Sequence, residues 1–366
     1  MFTVIVALLI VFLGFQSYHY KSPINDQILL SISVISIIFW GSAECYAADI
    51  PTYRYFFENI CFDWTKSGIK LPWSQFESGF VILCCVSKSL IDSFEVLQFT
   101  IFSIEIILIT TGLKRFLGTR NAIISLCIIF FLAQGTLLGA LRQGIAISLF
   151  IYALPFIKEQ KIIPYFLILF IGSLFHKSAI LLSVFYFTPL IYKCLNNRLL
   201  LIVVLVISNF IYFSGISVAS TISNFIFFQS DSIDTLSVYK EYYSTDEQSN
   251  FGIFKIIELN IAYVSFLLID KENDNYILKC LMLIYIPLQM MIGGFLAHRI
   301  SYYLIIPYYI GFALGVIDSF RKLIGNITSG YLIFQSYMCI LHLTYLSNPF
   351  TKNIYNNQLI KYLTGL

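Results

Sequence analysis

Charged residues are scarce in this chain of 366 residues: Asp, Glu, Lys and Arg together make up 12% of it. Soluble domains carry about 25% charged residues, so the shortage excludes an ordinary soluble protein. The net charge is only +3, and no block of basic residues occurs. Nucleic acid is therefore excluded as an expected partner.

The motifs of several enzyme classes are also missing. The chain has no phosphate-binding loop, no nucleophile elbow of the form G-x-S-x-G, and no DxD-like carboxylate pair for a metal–nucleotide sugar. Its eight cysteines show no zinc-ligand spacing, and most lie in apolar segments, where cysteine behaves as a small hydrophobic residue. These absences argue against an ATP-driven pump and a cytosolic nucleotide-sugar enzyme. We expect no metal and no cofactor.

What the chain does contain is apolar sequence: 58% of its residues are hydrophobic and 17% are aromatic, with a mean hydropathy of +0.81. Stretches of about 20 apolar residues, long enough to cross a bilayer as helices, recur from end to end. The sequence predicts an all-α, polytopic integral membrane protein of about 11–13 transmembrane helices, forming one transmembrane domain over residues 1–366. The predicted spans are residues 2–18, 28–47, 94–112, 121–138, 142–157, 162–175, 178–192, 199–217, 253–269, 276–296, 300–317 and 329–346.

Segment 79–91 is ambiguous, because it is too short for an ordinary span and contains Lys88. It is predicted as a short span, a re-entrant piece or an interfacial helix, and we favour a segment that does not fully cross. Loop 48–77 then lies on the outer side, together with the acidic loop 218–252.

Basic residues in short loops set the orientation, since such loops stay on the cytoplasmic side. All the basic loops can lie on the cytoplasmic side if every span between them crosses the membrane. The outer side then receives residues 139–141, 176–177 and 297–299. The residues that define the cytoplasmic side are Lys114, Arg115, Arg120, Lys158, Lys161, Lys193, Arg198, Arg321 and Lys322.

Arg142 lies inside the apolar run LLGALRQGIAISLFIYALPF. An arginine near a bilayer centre costs at least about 2.5 kcal/mol, so one in a membrane segment commonly lines a polar cavity or binds an anion. A helix that begins here presents two donors, Arg142 and Gln143, and arginine grips phosphate bidentately. The alternative is an arginine that snorkels to the interface at the end of a span.

His176 and Lys177 join two apolar segments at an outer turn. The histidine is a candidate general base or hydrogen-bond donor, and the lysine adds positive charge. A tight interfacial turn without any chemical role is the alternative.

His298 and Arg299 precede Tyr302 and Tyr303. On a helix, Arg299 shares a face with both tyrosines, three and four residues later. A cation beside phenols suits a sugar ring and a phosphate. The alternative is an aromatic belt with snorkelling cations.

Asp49 opens the outer loop in AADIPTYRYFF, with Tyr53 shortly after it. A carboxylate together with aromatic rings suits carbohydrate recognition. Glu105, in the middle of a predicted span, must either pair or carry a proton.

Four short motifs together resemble the EpsG-like family of polysaccharide polymerases, which includes many Wzy-type O-antigen and capsule polymerases. They are LRQGIAISL at 141–149, FHKSAILL at 175–182, HRISYYL at 298–304 and ADIPTYRYFF at 48–57. Their order and approximate spacing agree with the family, and the resemblance extends over residues 40–345.

The resemblance implies a GT-C-like helical bundle and a glycosyltransferase reaction. A glycan on undecaprenyl pyrophosphate is transferred to an incoming lipid-linked repeat unit, at the periplasmic face of the bacterial inner membrane, and undecaprenyl pyrophosphate leaves. Both substrates and membrane lipid are then partners, with a Wzz-type chain-length regulator expected. We expect the catalytic groups to be His176, Arg142, Arg299 and Asp49, and the substrate-binding groups to be Gln143, Lys177, His298, Tyr302, Tyr303 and Tyr53.

Three other functions stay open from the sequence. A flippase or transporter of lipid-linked oligosaccharide also needs cations facing a pyrophosphate, although the chain lacks the internal repeat common in transporters. An O-antigen ligase-type glycosyltransferase shares the substrate but uses a different acceptor. A membrane acyltransferase also places histidines in apolar sequence.

Overall fold

The structure is a computed structural model, and within the residues that it describes the chain is helical, with no strand. The prediction of an all-α membrane protein is confirmed. The described residues are 2–19, 22–41, 49–69, 71–72, 76–133, 137–190, 197–214, 253–268, 276–291, 295–324 and 330–338.

The chain forms two compact units, Met1–Tyr186 with Tyr331–Leu366, and Phe187–Gly330. Helices of the first unit are α1 Phe2–His19, α2 Pro23–Gly41, α3 Ile50–Tyr55 with a π-helical turn Phe56–Ile60, α4 Trp64–Ser67, α5 Ser78–Leu90, α6 Phe94–Leu117, α7 Thr119–Ala133, α8 Leu141–Lys158 and α9 Ile162–Ser173. A 3₁₀ segment, Lys177–Phe187, follows α9. Helices of the second unit are α10 Arg198–Ser214, α11 Ile253–Leu268, α12 Tyr276–Met291 and α13 Phe295–Ile324. The last described helix, α14, covers residues 330–338.

Each of the twelve predicted spans overlaps a helical element. Three helices in the described part, α2, α6 and α8, are long and apolar enough to cross a membrane, and shorter apolar helices accompany them. Two differences matter for the site. Residues 178–192 begin as a 3₁₀ segment rather than an α-helix, and α13 begins at Phe295, so that Arg299 lies in a helix and not in a loop.

Helix α8 is the core of the first unit, because fifteen of its eighteen residues are buried. The backbone of helix α6 lies in contact with the backbone of α8. A Cβ atom on Gly112 of α6 would lie 2.6 Å from Tyr152 Cα and 2.7 Å from the Ile151 carbonyl oxygen, and one on Gly144 of α8 would lie 2.3 Å from Glu105 Oε1. These two glycines therefore permit the contact.

Glu105 is fully buried on α6. Neither of its carboxyl oxygens has a hydrogen-bond partner among the described residues. The sequence predicts that Glu105 either pairs with another group or carries a proton. The described residues provide no pairing partner.

The ambiguous segment 79–91 is the thirteen-residue helix α5. At 1.5 Å per residue it spans about 20 Å, less than the roughly 30 Å of a hydrocarbon core. Its Lys88 ammonium donates to the Phe57 and Glu58 carbonyl oxygens, at 2.8 Å each. The lysine thus satisfies carbonyls of the π-helical turn. The side of the membrane on which loop 48–77 lies stays a prediction.

Polar side chains connect the helices of the second unit. Asn209 of α10 and Asn260 of α11 exchange two hydrogen bonds, of 2.9 and 3.0 Å. Lys255 of α11 pairs with Glu258 and donates to the Tyr309 hydroxyl at 2.9 Å. Such bonds hold helices together where the surrounding lipid is as apolar as the side chains.

The close contact between α6 and α8 predicts that adding one methyl group at Gly112 lowers the stability of the protein. Gly112→Ala should lower the stability of the protein by about 1–3 kcal/mol, because the new Cβ meets backbone that cannot rotate away. Gly172→Ala in α9 is the matched control, since its Cβ would lie 3.4 Å from the nearest atom, at ordinary contact distance. Thermal unfolding of the detergent-purified variants measures both. Equal midpoints for the two variants would contradict the close packing.

Candidate functional site

Arg142 lies in the first turn of α8, and its partners come from other segments of the first unit. Its Nη1 donates to the Glu77 carboxylate, and its Nε donates to the Tyr53 hydroxyl over a long 3.4 Å. The guanidinium carbon also stands 4.7 Å from the centre of the Phe76 ring. The side chain of Arg142 is 20% exposed and that of Glu77 is 11% exposed. The Coulomb attraction within an ion pair this shielded is screened less than that within a surface pair.

Glu77 connects Arg142 to the turn after α9. Its second oxygen, Oε1, accepts the backbone N–H of Lys177 at 3.4 Å. Two residues later, the N–H of Gly79 donates to the Leu174 carbonyl oxygen at 2.8 Å. The start of α5 is thereby fastened to the turn that carries His176.

Tyr53 forms one wall of this site. It is buried, and its ring lies 5.6 Å from Phe76 and 5.3 Å from Phe80 between centroids. Burial raises the pKa of the Tyr53 phenol, and the charge of Arg142 offsets part of that rise. The hydroxyl therefore keeps its proton at neutral pH, so it can accept from Arg142 and donate to a ligand.

A second arginine holds α3 in place. Arg54 donates to Glu95 at 2.8 Å and stands 4.8 Å from the centre of the Phe94 ring. Because both of these residues belong to the first turn of α6, the pair fixes α3 against that helix. Tyr53, the neighbouring residue, is positioned as a consequence.

The other predicted residues of the first unit have different surroundings. The Nδ1 atom of His176 lies 2.6 Å from the Ser178 hydroxyl. Gln143 is buried in α8, whereas Asp49 is exposed just before α3. Asp49 makes no side-chain cap bond, and its carbonyl oxygen accepts the Tyr53 N–H at 3.1 Å. The structure thus brings Arg142 and the Lys177 backbone to the Glu77 carboxylate, and Tyr53 bonds to the same arginine.

The remaining predicted residues belong to the second unit. His298 and Arg299 lie in the first turns of α13, and their side chains fall outside the described residues. Further along the same helix, Tyr303 is buried and Tyr302 is partly exposed. The shared face predicted for Arg299 and these tyrosines stays a prediction.

Sequence reasoning missed Glu77, the residue that joins the parts of the site. It is the last residue before α5, and its partner Arg142 is 65 positions away. A lone acid before an apolar segment gives a weak signal, which suits a helix N-terminus as well as an ion pair. Only the tertiary structure, which brings the residue before α5 to the first turn of α8, identifies the partner.

The fold and this site define a multi-pass membrane protein with a shielded cationic site at the start of a buried helix. The EpsG family model matches residues 27–364, and the chain belongs to the EpsG family. Membership indicates a role of the polysaccharide-polymerase type, that of a glycosyltransferase-like enzyme. No curated protein and no solved structure matches the chain.

The junction between α5 and the histidine turn gives a testable prediction. A Cβ on Gly79 would lie 2.8 Å from the Leu174 carbonyl oxygen, so Gly79→Ala should push α5 away from the turn and move Glu77 off Arg142. We expect a loss of polymer synthesis in cells at normal protein level. Ser78→Ala is the control, because Ser78 is exposed. Full activity of Gly79→Ala would show that this junction does not matter.

Proposed function

We propose that this protein polymerises O-antigen or capsular polysaccharide from repeat units linked to undecaprenyl pyrophosphate. The observation that carries the proposal is the position of Arg142. This residue of the LRQGIAISL stretch is held in the first turn of the buried helix α8, next to the turn of His176 and Lys177. A cation fixed at the end of a membrane helix suits a lipid-linked anion.

In this reaction the acceptor hydroxyl attacks the anomeric carbon of the sugar attached to the pyrophosphate of the donor. The new C–O bond forms as the bond to the pyrophosphate oxygen breaks. Negative charge grows on the leaving group, and cations that bind it lower the barrier. We assign this task to Arg142 and Arg299.

The acceptor hydroxyl has to be oriented and must lose its proton. His176 is our candidate base, with Asp49 as the alternative. Gln143, Lys177, His298, Tyr302, Tyr303 and Tyr53 are proposed to contact sugar or phosphate. Burial keeps the Tyr53 phenol protonated, which supports its role as a donor.

The proposed location is the periplasmic face of the bacterial inner membrane. There the prenyl tails of donor and acceptor stay in lipid, and the basic loops remain cytoplasmic. The donor already carries its leaving group, so the reaction needs no nucleotide sugar. A Wzz-type regulator is the proposed partner that sets chain length.

Two substitutions test the pyrophosphate site. Arg142→Ala and Arg299→Ala should each reduce chain extension about 100-fold or more, because each removes a cation from the leaving group. The ladder of polymer lengths, compared at equal protein level, is the measurement. Arg115→Ala is the control: Arg115 pairs with Glu159 at 2.7 Å, at the predicted cytoplasmic end of the bundle. An unaltered ladder in either site variant would remove that arginine from the site.

A deletion strain separates the polymerase from the other functions. Loss of a polymerase should leave a lipopolysaccharide core that bears one repeat unit, with the long chains missing. The test is gel analysis of the lipopolysaccharide, with the intact gene restored as the control. Absence of any attached repeat unit would instead favour a flippase or a ligase.

A further inference from the structure

The carboxylate of Glu77 is held by two donors from different segments. Arg142 binds one oxygen from the first turn of α8, and the backbone N–H of Lys177 reaches the other at 3.4 Å. A guanidinium and a main-chain N–H are also the donors that bind phosphate oxygens in proteins. In this structure, therefore, an anion of the protein itself occupies a position suited to a phosphate group.

Only one of these two bonds is strong. The bond to Lys177 is long, whereas the bond to Arg142 joins two opposite charges. A ligand that takes Glu77's place thus has to replace one charge-assisted bond. A pyrophosphate diester carries two negative charges, so it competes well against a single carboxylate for Arg142.

The location of Glu77 allows such an exchange without a change of fold. The residue precedes α5 with an extended backbone and makes no side-chain cap bond to that helix. The tether between this region and the α9 turn is the Gly79–Leu174 backbone bond of 2.8 Å, which does not involve the Glu77 side chain. Rotation of that side chain is enough to release Arg142.

We propose that Glu77 is an exchange partner of Arg142, a positioning residue that the lipid pyrophosphate displaces on binding and that regains the arginine when the product leaves. This inference rests on the proposed function. While the site is empty, Glu77 neutralises the arginine and keeps it oriented. After the reaction, the returning carboxylate competes with the released pyrophosphate and speeds its departure.

Glu77→Gln tests the exchange, because it removes the competing charge and keeps the shape. The detergent-purified full-length variant should bind farnesyl pyrophosphate about tenfold more tightly than the natural protein, the scale of one charge-assisted hydrogen bond. In polymerisation assays its KM and its kcat should both fall, because substrate and product are each held longer. If Glu77 only supported the structure of the site, Glu77→Gln would bind farnesyl pyrophosphate more weakly than the natural protein.

Two controls accompany this variant at constant ionic strength, since salt screens charge. Glu58→Gln removes an acid that pairs with Arg54 rather than Arg142, at 3.4 Å, and should bind the probe as the natural protein does. Glu77→Asp keeps the charge on a shorter side chain, and its affinity should lie between those of the natural protein and Glu77→Gln. If Glu77→Gln does not fold, the Glu77→Asp affinity decides the question.

The outcomes separate this inference from the proposed function. Unchanged or weaker binding by the Glu77 variants, with Arg142→Ala still weakening it, overturns the exchange and leaves the pyrophosphate site standing. Natural affinity in Arg142→Ala overturns both. Tighter binding by Glu77→Gln, without a change in Glu58→Gln, supports the exchange.

Discussion

The close approach of α6 and α8 is the constraint on which the first unit depends. At Gly112 the backbone of α6 comes within contact distance of the backbone of α8, and Gly144 leaves room for the side chain of Glu105. Without a hydrophobic force between helices in lipid, packing of this kind is a main source of association. Because α8 is then buried on almost every side, its first turn is a fixed point. Arg142 belongs to this turn, so its backbone is held in a fixed position.

Several polar groups in the described part of this apolar chain are satisfied in pairs that also connect segments. Arg54 joins α3 to α6, Lys88 joins α5 to the π-helical turn, and the Asn209–Asn260 pair joins α10 to α11. Each bond avoids the cost of an unpaired polar group in an apolar environment. Polar side chains that would be destabilising if left unpaired thus specify which segments pack together.

The Arg142 site differs from those pairs in what surrounds it. Arg142 bonds to Tyr53 of α3 and to Glu77 before α5, and Glu77 connects the arginine to the turn after α9. The proposed function requires the enzyme to bind a pyrophosphate and then to release it, and a cation with an exchangeable partner would suit both steps. An arginine locked by buried carboxylates would serve only the first.

The class of the protein, its apolar helices and its family could be predicted from the sequence. Apolar length fixed the membrane helices because a bilayer admits little else, and the motifs around Arg142, His176 and Arg299 indicated the EpsG family that the family model confirms. The start of one helix was predicted wrongly: α13 begins at Phe295, before Arg299, because nothing in FLAHRISYY stops a helix. Tertiary structure alone decided that Glu77 meets Arg142 and that Gln143 faces the core. Those facts depend on which segments pack together over 65 residues of chain, and local sequence preference carries no information about so distant a partner.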